Sequence, residues 1–149
     1  MQKQLAQWRI LSKTVVFTNG VFDILHAGHV ASFTEAAQHG DYLIVGLNSD
    51  DSVKALKGSN RPVNDEMSRA ILLSALTMID AVVIFSESTP IELINFTRPD
   101  VLVKGGDYKM EDIVGSKEVM SWGGKVIINP IVEGFSTSAI INKIQNPSA

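Results

Sequence analysis

Five short runs of β-branched and apolar residues constrain this chain more than any other feature: Thr14 to Thr18, Tyr42 to Leu47, Ala81 to Phe85, Val101 to Val103 and Lys125 to Ile128. None alternates strictly between apolar and polar, so each suits a strand covered on both faces. Between them apolar residues recur at helical spacing: at Val30, Phe33, Ala36 and Ala37, at Met67, Ile71, Leu72, Ala75 and Leu76, and at Ile91, Leu93, Ile94 and Phe96. Strand and helix in alternation predict an α/β fold, an open, doubly wound, five-stranded parallel sheet with helices on both faces and right-handed crossovers.

Local start and stop signals agree. Thr89-Pro90-Ile91-Glu92 reads as a capping box with Pro at the first helical position, and Arg98-Pro99 closes that helix. Gly40 is expected as the C′ residue of the first long helix, while Asn64-Asp65-Glu66 puts a cap and acids at the start of another. The 149 residues are read as a single domain, 1–149, with an N-terminal helix over 1–12 and a frayed tail at 146–149.

Composition matters chiefly for what it excludes. A net charge of −3 speaks against a nucleic-acid partner, so an anion site must be local. With zero cysteines, disulfides, thiolate nucleophiles and thiolate metal sites drop out. No apolar run approaches the ~18 residues of a membrane span, which predicts no membrane partner. The opening MQKQLAQWRILSK lacks an apolar secretory core, so a cytoplasmic protein is expected.

Ligands of such sheets sit beyond the carboxyl ends of the strands. After the first strand comes Thr18-Asn19-Gly20-Val21-Phe22-Asp23-Ile24-Leu25-His26-Ala27-Gly28-His29, with two of the chain's three histidines. A helix starting near His26 would bring His26 and His29 onto one face of its first turn. There free N–H groups, the helix dipole and Gly28 would favour a phosphate. Capping or packing is an equal account of the pair, and a metal pair lacks a third ligand at a recognisable spacing. Asp23 is read as holding the loop through backbone N–H groups.

Phe-Asp-x-x-His-x-Gly-His after a buried strand resembles the signature of the cytidylyltransferase-like nucleotidyltransferases, which implies a Rossmann-like fold of the His-x-Gly-His type. Thr18-Asn19-Gly20, Lys57-Gly58-x-x-Arg61-Pro62-Val63, Lys104-Gly105-Gly106-Asp107-Tyr108, Gly115-Ser116-Lys117-Glu118 and Gly134-Phe135-Ser136-Thr137 are similar to the adenylyltransferases of ADP-heptose synthesis. The resemblance runs from about Val15 to Ile144. It implies transfer of AMP from ATP to a sugar 1-phosphate, D-glycero-β-D-manno-heptose 1-phosphate, with release of pyrophosphate. Members of the family often carry this domain fused to a sugar kinase, so a separate kinase is the expected supplier of substrate.

The resemblance assigns His26, His29, Lys57 and Arg69 to catalysis, with Lys57 facing the phosphates and Arg69 on the triphosphate. It assigns Thr18, Asn19, Gly20, Phe22, Gly28, Lys104, Gly105, Gly106, Asp107, Gly134, Ser136 and Thr137 to the nucleotide, the last two as a second phosphate cradle. Asp50 and Arg61 are the candidates for the sugar phosphate. Asp50 could equally cap the helix after the second strand, Lys104-Gly105-Gly106 could be a plain glycine turn, and Lys54 reads as a solvated charge.

A phosphate nucleophile is already anionic, so the absence of a Ser-His-Asp or paired-carboxylate arrangement fits this chemistry, which needs donors and positive charge rather than a strong base. Magnesium is expected to arrive with ATP rather than in a protein cage. Trp8, Trp122, Phe17, Phe33 and Phe96 are read as core or interface fillers. The stretch from Leu5 to Leu11 is compatible with a homodimer contact or with packing over the sheet. Two other functions remain open at this point: cytidylyl transfer from CTP to glycerol 3-phosphate or phosphoethanolamine, and a non-catalytic nucleotide-binding module. Ile131 and Val132 before Glu133-Gly134, where the glycerol-phosphate branch usually has an arginine, speak against the first.

Overall fold

The computed structural model describes residues 1–106, 108–130 and 134–146. Each expected run forms a strand, and all but the third are extended by one or two residues at the carboxyl end: β1 (Val15–Gly20), β2 (Tyr42–Asn48), β3 (Ala81–Phe85), β4 (Val101–Gly105) and β5 (Lys125–Asn129). They form one parallel sheet in the order β3-β2-β1-β4-β5. Strand order therefore reverses at β1, and the crevice between the ends of β1 and β4 is the switch point at which doubly wound sheets bind ligands.

Helices cover both faces. α2 (Ala27–Ala37) and α4 (Glu66–Ser74) pack on the face of Val16, Val45, Val101 and Val103, with Phe33 and Leu73 in that core. α1 (Gln2–Ile10), α5 (Ile91–Thr97) and α6 (Ser116–Ser121) cover the face of Val15, Phe17, Ile44 and Leu102. α3 (Asp50–Lys57) and α7 (Thr137–Gln145) start just beyond strand ends. Leu5 and Trp8 of α1 are buried in the second core, Trp8 stacking on Tyr42 at 4.1 Å, so the N-terminal stretch packs over the sheet.

Three local readings are corrected. Gly40 does not have a positive φ; glycine is needed there because a Cβ would meet Val16 Cγ2 at 2.6 Å and the Thr14 carbonyl at 2.8 Å. Pro90 is the N-cap of α5, not its first helical residue, and Thr89 makes no capping bond. In α4 the apolar spacing marks the helix but not its buried face, since Met67 and Ile71 are 58% and 65% exposed. Leu73 and Arg69 turn inward instead. Asn146 follows α7 as its C-cap, and the rest of the expected frayed tail, 147–149, lies outside the described residues.

Candidate active site

The first turn of α2 is built around its histidines. His26 is the extended N-cap residue, and its carbonyl accepts from the N–H groups of His29 and Val30. The three-residue spacing stacks the two imidazoles, with ring centres 3.7 Å apart and planes within 19°. Phe22, held at φ 46° in the left-handed region that aromatic residues rarely adopt, sets its ring edge-on to His29 at 5.4 Å. Both Nδ1 atoms are buried and lack a hydrogen-bond partner among the described residues. Burial, and then the neighbouring His26, push the pKa of His29 down to about 4, and burial lowers that of His26 as well. The pair is thus held neutral, and both imidazoles line the open space at the start of α2.

That space is a cavity of about 420 Å³ beyond the ends of β1 and β4. Opposite the histidines it is walled by Ser136, Thr137 and Ser138 at the start of α7. Ser136 caps that helix by accepting from the Ala139 N–H, so its hydroxyl has one local duty, while Thr137 lies on the first helical residue. Phe135 brings the two helix starts together, lying 6.1 Å from His26 in a near-parallel stack. A Cβ on Gly28 would sit 2.8 Å from the Phe135 Cβ. Glycine in His-x-Gly-His therefore admits the α7 side to the first turn of α2, and Gly28 itself lines the cavity.

Positive charge enters from the segment after β2. Lys57 ends α3 exposed and lines the cavity, as does Arg61. Arg61 is aimed by Asp23, whose buried carboxylate accepts from Arg61 Nε at 2.6 Å and from the N–H groups of Val63 and Asn64. Burial raises the pKa of Asp23, but the N–H bonds from Asn64 and Val63 and the Arg61 guanidinium outweigh it and hold the carboxyl below the usual range. Asp23 does hold a loop by backbone N–H groups, one about 40 residues away in sequence. Lys54 pairs with Asp51 on the surface.

Of the expected site residues, the cavity collects His26, His29, Lys57, Arg61, Gly20, Phe22, Gly28, Gly105, Gly106, Ser136 and Thr137. Arg69 is not among its walls. It is completely buried, and it donates to the carbonyls of Asn64, Val21 and Asn48 and to Asp50 Oδ1 at 2.6 Å. Its charge ties α4 to the ends of β1 and β2, which corrects its assignment to the triphosphate. Asp50 is correspondingly engaged by Arg69 rather than free for a sugar, and the cap of α3 is Ser49, not Asp50. Thr18 is buried within β1 and Gly134 lies at a φ of 85° ahead of α7, both away from the cavity walls. Asn19 and Lys104 face a second, smaller cavity. Asp107 lies outside the described residues, as do Ile131, Val132 and Glu133. Ser32, one helical step beyond His29, and Phe135 line the cavity without having been singled out. The three-residue spacing from His29 was the available signal for Ser32.

The profile of the cytidylyltransferase-like family matches residues 17–143. The chain is 55% identical over 139 residues to the bifunctional protein HldE of Koribacter versatilis, covering 93% of this chain and 29% of that protein. It is 53% identical over 141 residues to the bifunctional protein HldE of Methylobacillus flagellatus, covering 95% and 29%. The chain thus spans less than a third of the length of these curated relatives. A crystal structure described as the lipopolysaccharide core biosynthesis protein of Thermoplasma volcanium superposes with a TM-score of 0.65 at 30% identity, over 80% of this chain and 97% of that one. No helix among the described residues is long and apolar enough to cross a membrane.

Proposed function

The chain belongs to the cytidylyltransferase-like family, and from that premise we propose that it is a nucleotidyltransferase that moves AMP from ATP to a sugar 1-phosphate. The proposed acceptor is D-glycero-β-D-manno-heptose 1-phosphate, and the products are ADP-heptose and pyrophosphate. The observation that carries the reading is the convergence of two helix starts on one cavity, the stacked imidazoles on one wall and the Ser136-Thr137 hydroxyls on the other. The nature of the sugar draws support from the HldE relatives and from the lipopolysaccharide description of the solved neighbour.

In this reading the triphosphate lies between α2 and α7. An oxygen of the sugar phosphate forms the new bond to the α-phosphorus, and the bond from that phosphorus to the bridging oxygen breaks, its electron pair leaving with pyrophosphate. No proton has to be removed from the nucleophile. Charge grows on the α-phosphoryl oxygens and the leaving group, where His26 and His29 offer ring N–H groups and Lys57 and Arg61 offer cations. Magnesium is proposed to enter as the counterion of ATP, screening the phosphates. Among the described residues the one carboxylate on the cavity wall, Asp23, is engaged by Arg61 and backbone N–H groups, so the contribution proposed for the chain is to hold phosphate oxygens. A sugar kinase, on the same or a separate chain, is the proposed source of the acceptor.

Pyrophosphate release tests this directly, with ATP or CTP against heptose 1-phosphate, glycerol 3-phosphate and phosphoethanolamine. Turnover only with ATP and heptose 1-phosphate is expected. His29→Ala should lower kcat by about 10²–10³, the scale of one lost transition-state donor. Preference for CTP and a polyol phosphate would overturn the substrate assignment. ATP binding without any pyrophosphate release would instead indicate a binding module.

A further inference from the structure

Asn129 ends β5 at the point where several walls of the histidine cavity come together. It stands opposite Gly105 in the β4–β5 pair. Ile127, two residues earlier, packs on the core beneath α2 and α4, and the two-residue period of a strand puts the Asn129 side chain on that same face. From there its amide meets α2 beside Gly105, where β4 has no side chain, and donates from Nδ2 to the Ser32 carbonyl at 3.3 Å. A carbonyl can only accept, which fixes the amide nitrogen as the end turned to the helix. The backbone carbonyl of Asn129 accepts from the Gly106 N–H at 3.1 Å. Ser32, Gly105, Gly106 and Pro130 all line the cavity, while Asn129 is buried and is not among its walls.

The position is a costly one for an amide. Asn129 Oδ1 is buried and has no hydrogen-bond partner among the described residues. An unpaired buried acceptor loses stability that an aliphatic side chain, such as Ile127 on the same face, would not. What the amide adds is a tie to a part of α2 that packing holds weakly. The helix buries Phe33 and Ala36, both in its second half, whereas no residue from Ala27 to Ser32 is fully buried. Among the described residues, Asn129 makes the only side-chain hydrogen bond that reaches α2 from another element. It acts on Ser32, one helical step beyond His29 on the same face.

We propose that Asn129 is a positioning residue for nucleotidyl transfer: its amide fixes the first two turns of α2 against the Gly105–Gly106 end of β4, and so sets where His26 and His29 meet the triphosphate. The inference rests on the nucleotidyl-transfer reading and adds to it a residue that touches no substrate. Its leverage is geometric, because a displacement of about 1 Å at the reacting groups is enough to lower a rate by about 10²-fold.

The test measures pyrophosphate release by the full chain with ATP and heptose 1-phosphate, together with urea unfolding of each variant. Asn129→Leu removes the donor and the unpaired oxygen at similar volume. It is expected to lower kcat by about 10²-fold, to move KM for ATP and for the sugar phosphate by less than about fivefold, and to leave the unfolding midpoint unchanged or raised. In a His29→Ala background the same substitution is expected to lower kcat by less than about tenfold, because the residue acts through the histidine helix. Losses that multiply in full in the double variant, or an unchanged kcat in Asn129→Leu, overturn the assignment. Should leucine prevent folding, Asn129→Ala, smaller and equally without a donor, is compared in the same two backgrounds, and the coupling decides. If the unsubstituted protein releases no pyrophosphate with any acceptor, the transferase reading fails and this inference falls with it. Turnover with independent losses at Asn129 and His29 sinks the positioning role alone.

Discussion

Binding of the triphosphate should draw a proton onto the histidine pair, and the size of the effect follows from the geometry of α2. In the empty site His29 titrates at about 4, because burial and the neighbouring His26 disfavour its cation. One phosphate charge about 4 Å from the ring, at an effective dielectric constant of about 20, favours the imidazolium by about 4 kcal/mol. At about 1.4 kcal/mol per pH unit, that lifts the group by about three units, to about 7. The nucleotide-bound protein then holds more protons than the empty one, so uptake should be about 0.5 proton per site at pH 7, about 0.9 at pH 6 and close to zero at about pH 8.5. The sign is fixed by linkage: affinity rises as pH falls below about 7, by roughly tenfold per unit. Calorimetric titration of MgATP in buffers of differing ionisation enthalpy counts these protons, and His29→Asn should abolish most of the uptake. An unfolded histidine titrates near 6.5, above the folded value, so the empty protein should also lose stability as pH falls from about 6.5 toward 4. Zero uptake at pH 6, or the same uptake in His29→Asn, would refute the reasoning.

Two further outcomes separate architecture from chemistry. Arg69→Met should cost about 3–5 kcal/mol in urea unfolding, because it leaves Asp50 unpaired beside three carbonyls that lose their donor; a loss under about 1 kcal/mol with a collapse of kcat would return this arginine to the phosphates. Gly28→Ala should lower kcat/KM by about 10²-fold by pushing the start of α7 away from α2; Phe135→Gly in the same chain should recover most of it, since the clash is with the Phe135 Cβ, and absence of coupling between the two positions would remove that explanation.

The parts of this fold that sequence makes legible are those set by short periods. Doubly covered strands betray themselves by β-branched runs without alternation, and all five appear with boundaries off by at most two residues. His26 and His29 are legible for a similar reason, since a three-residue step at a helix start stacks side chains wherever that helix packs. Arg69 is not. Its position along α4 is plain, but its partners are a carbonyl at the end of β2, another after β1 and Asp50 nineteen residues upstream, and no local period records which way a guanidinium turns. The same blindness produced the expectation that α4 buries Met67 and Ile71, because an inward arginine with four acceptors outcompetes an apolar stripe for the sheet face.

The blocks after β1 and β4 are divided by the pleat of the sheet. In Thr18-Asn19-Gly20 and Lys104-Gly105-Gly106 neighbouring residues within the strand end lie on opposite faces of the sheet, while Gly105 and Gly106 both line the histidine cavity. The pleat turns Asn19 and Lys104 to one face and Gly20 and Gly105 to the other. Parity counted from Phe17 and Leu102, both core positions on one face, makes the same division from the sequence. A motif spanning a strand end in a doubly wound sheet therefore distributes its residues over both faces of that edge, and parity along the strand tells which of them share a cavity.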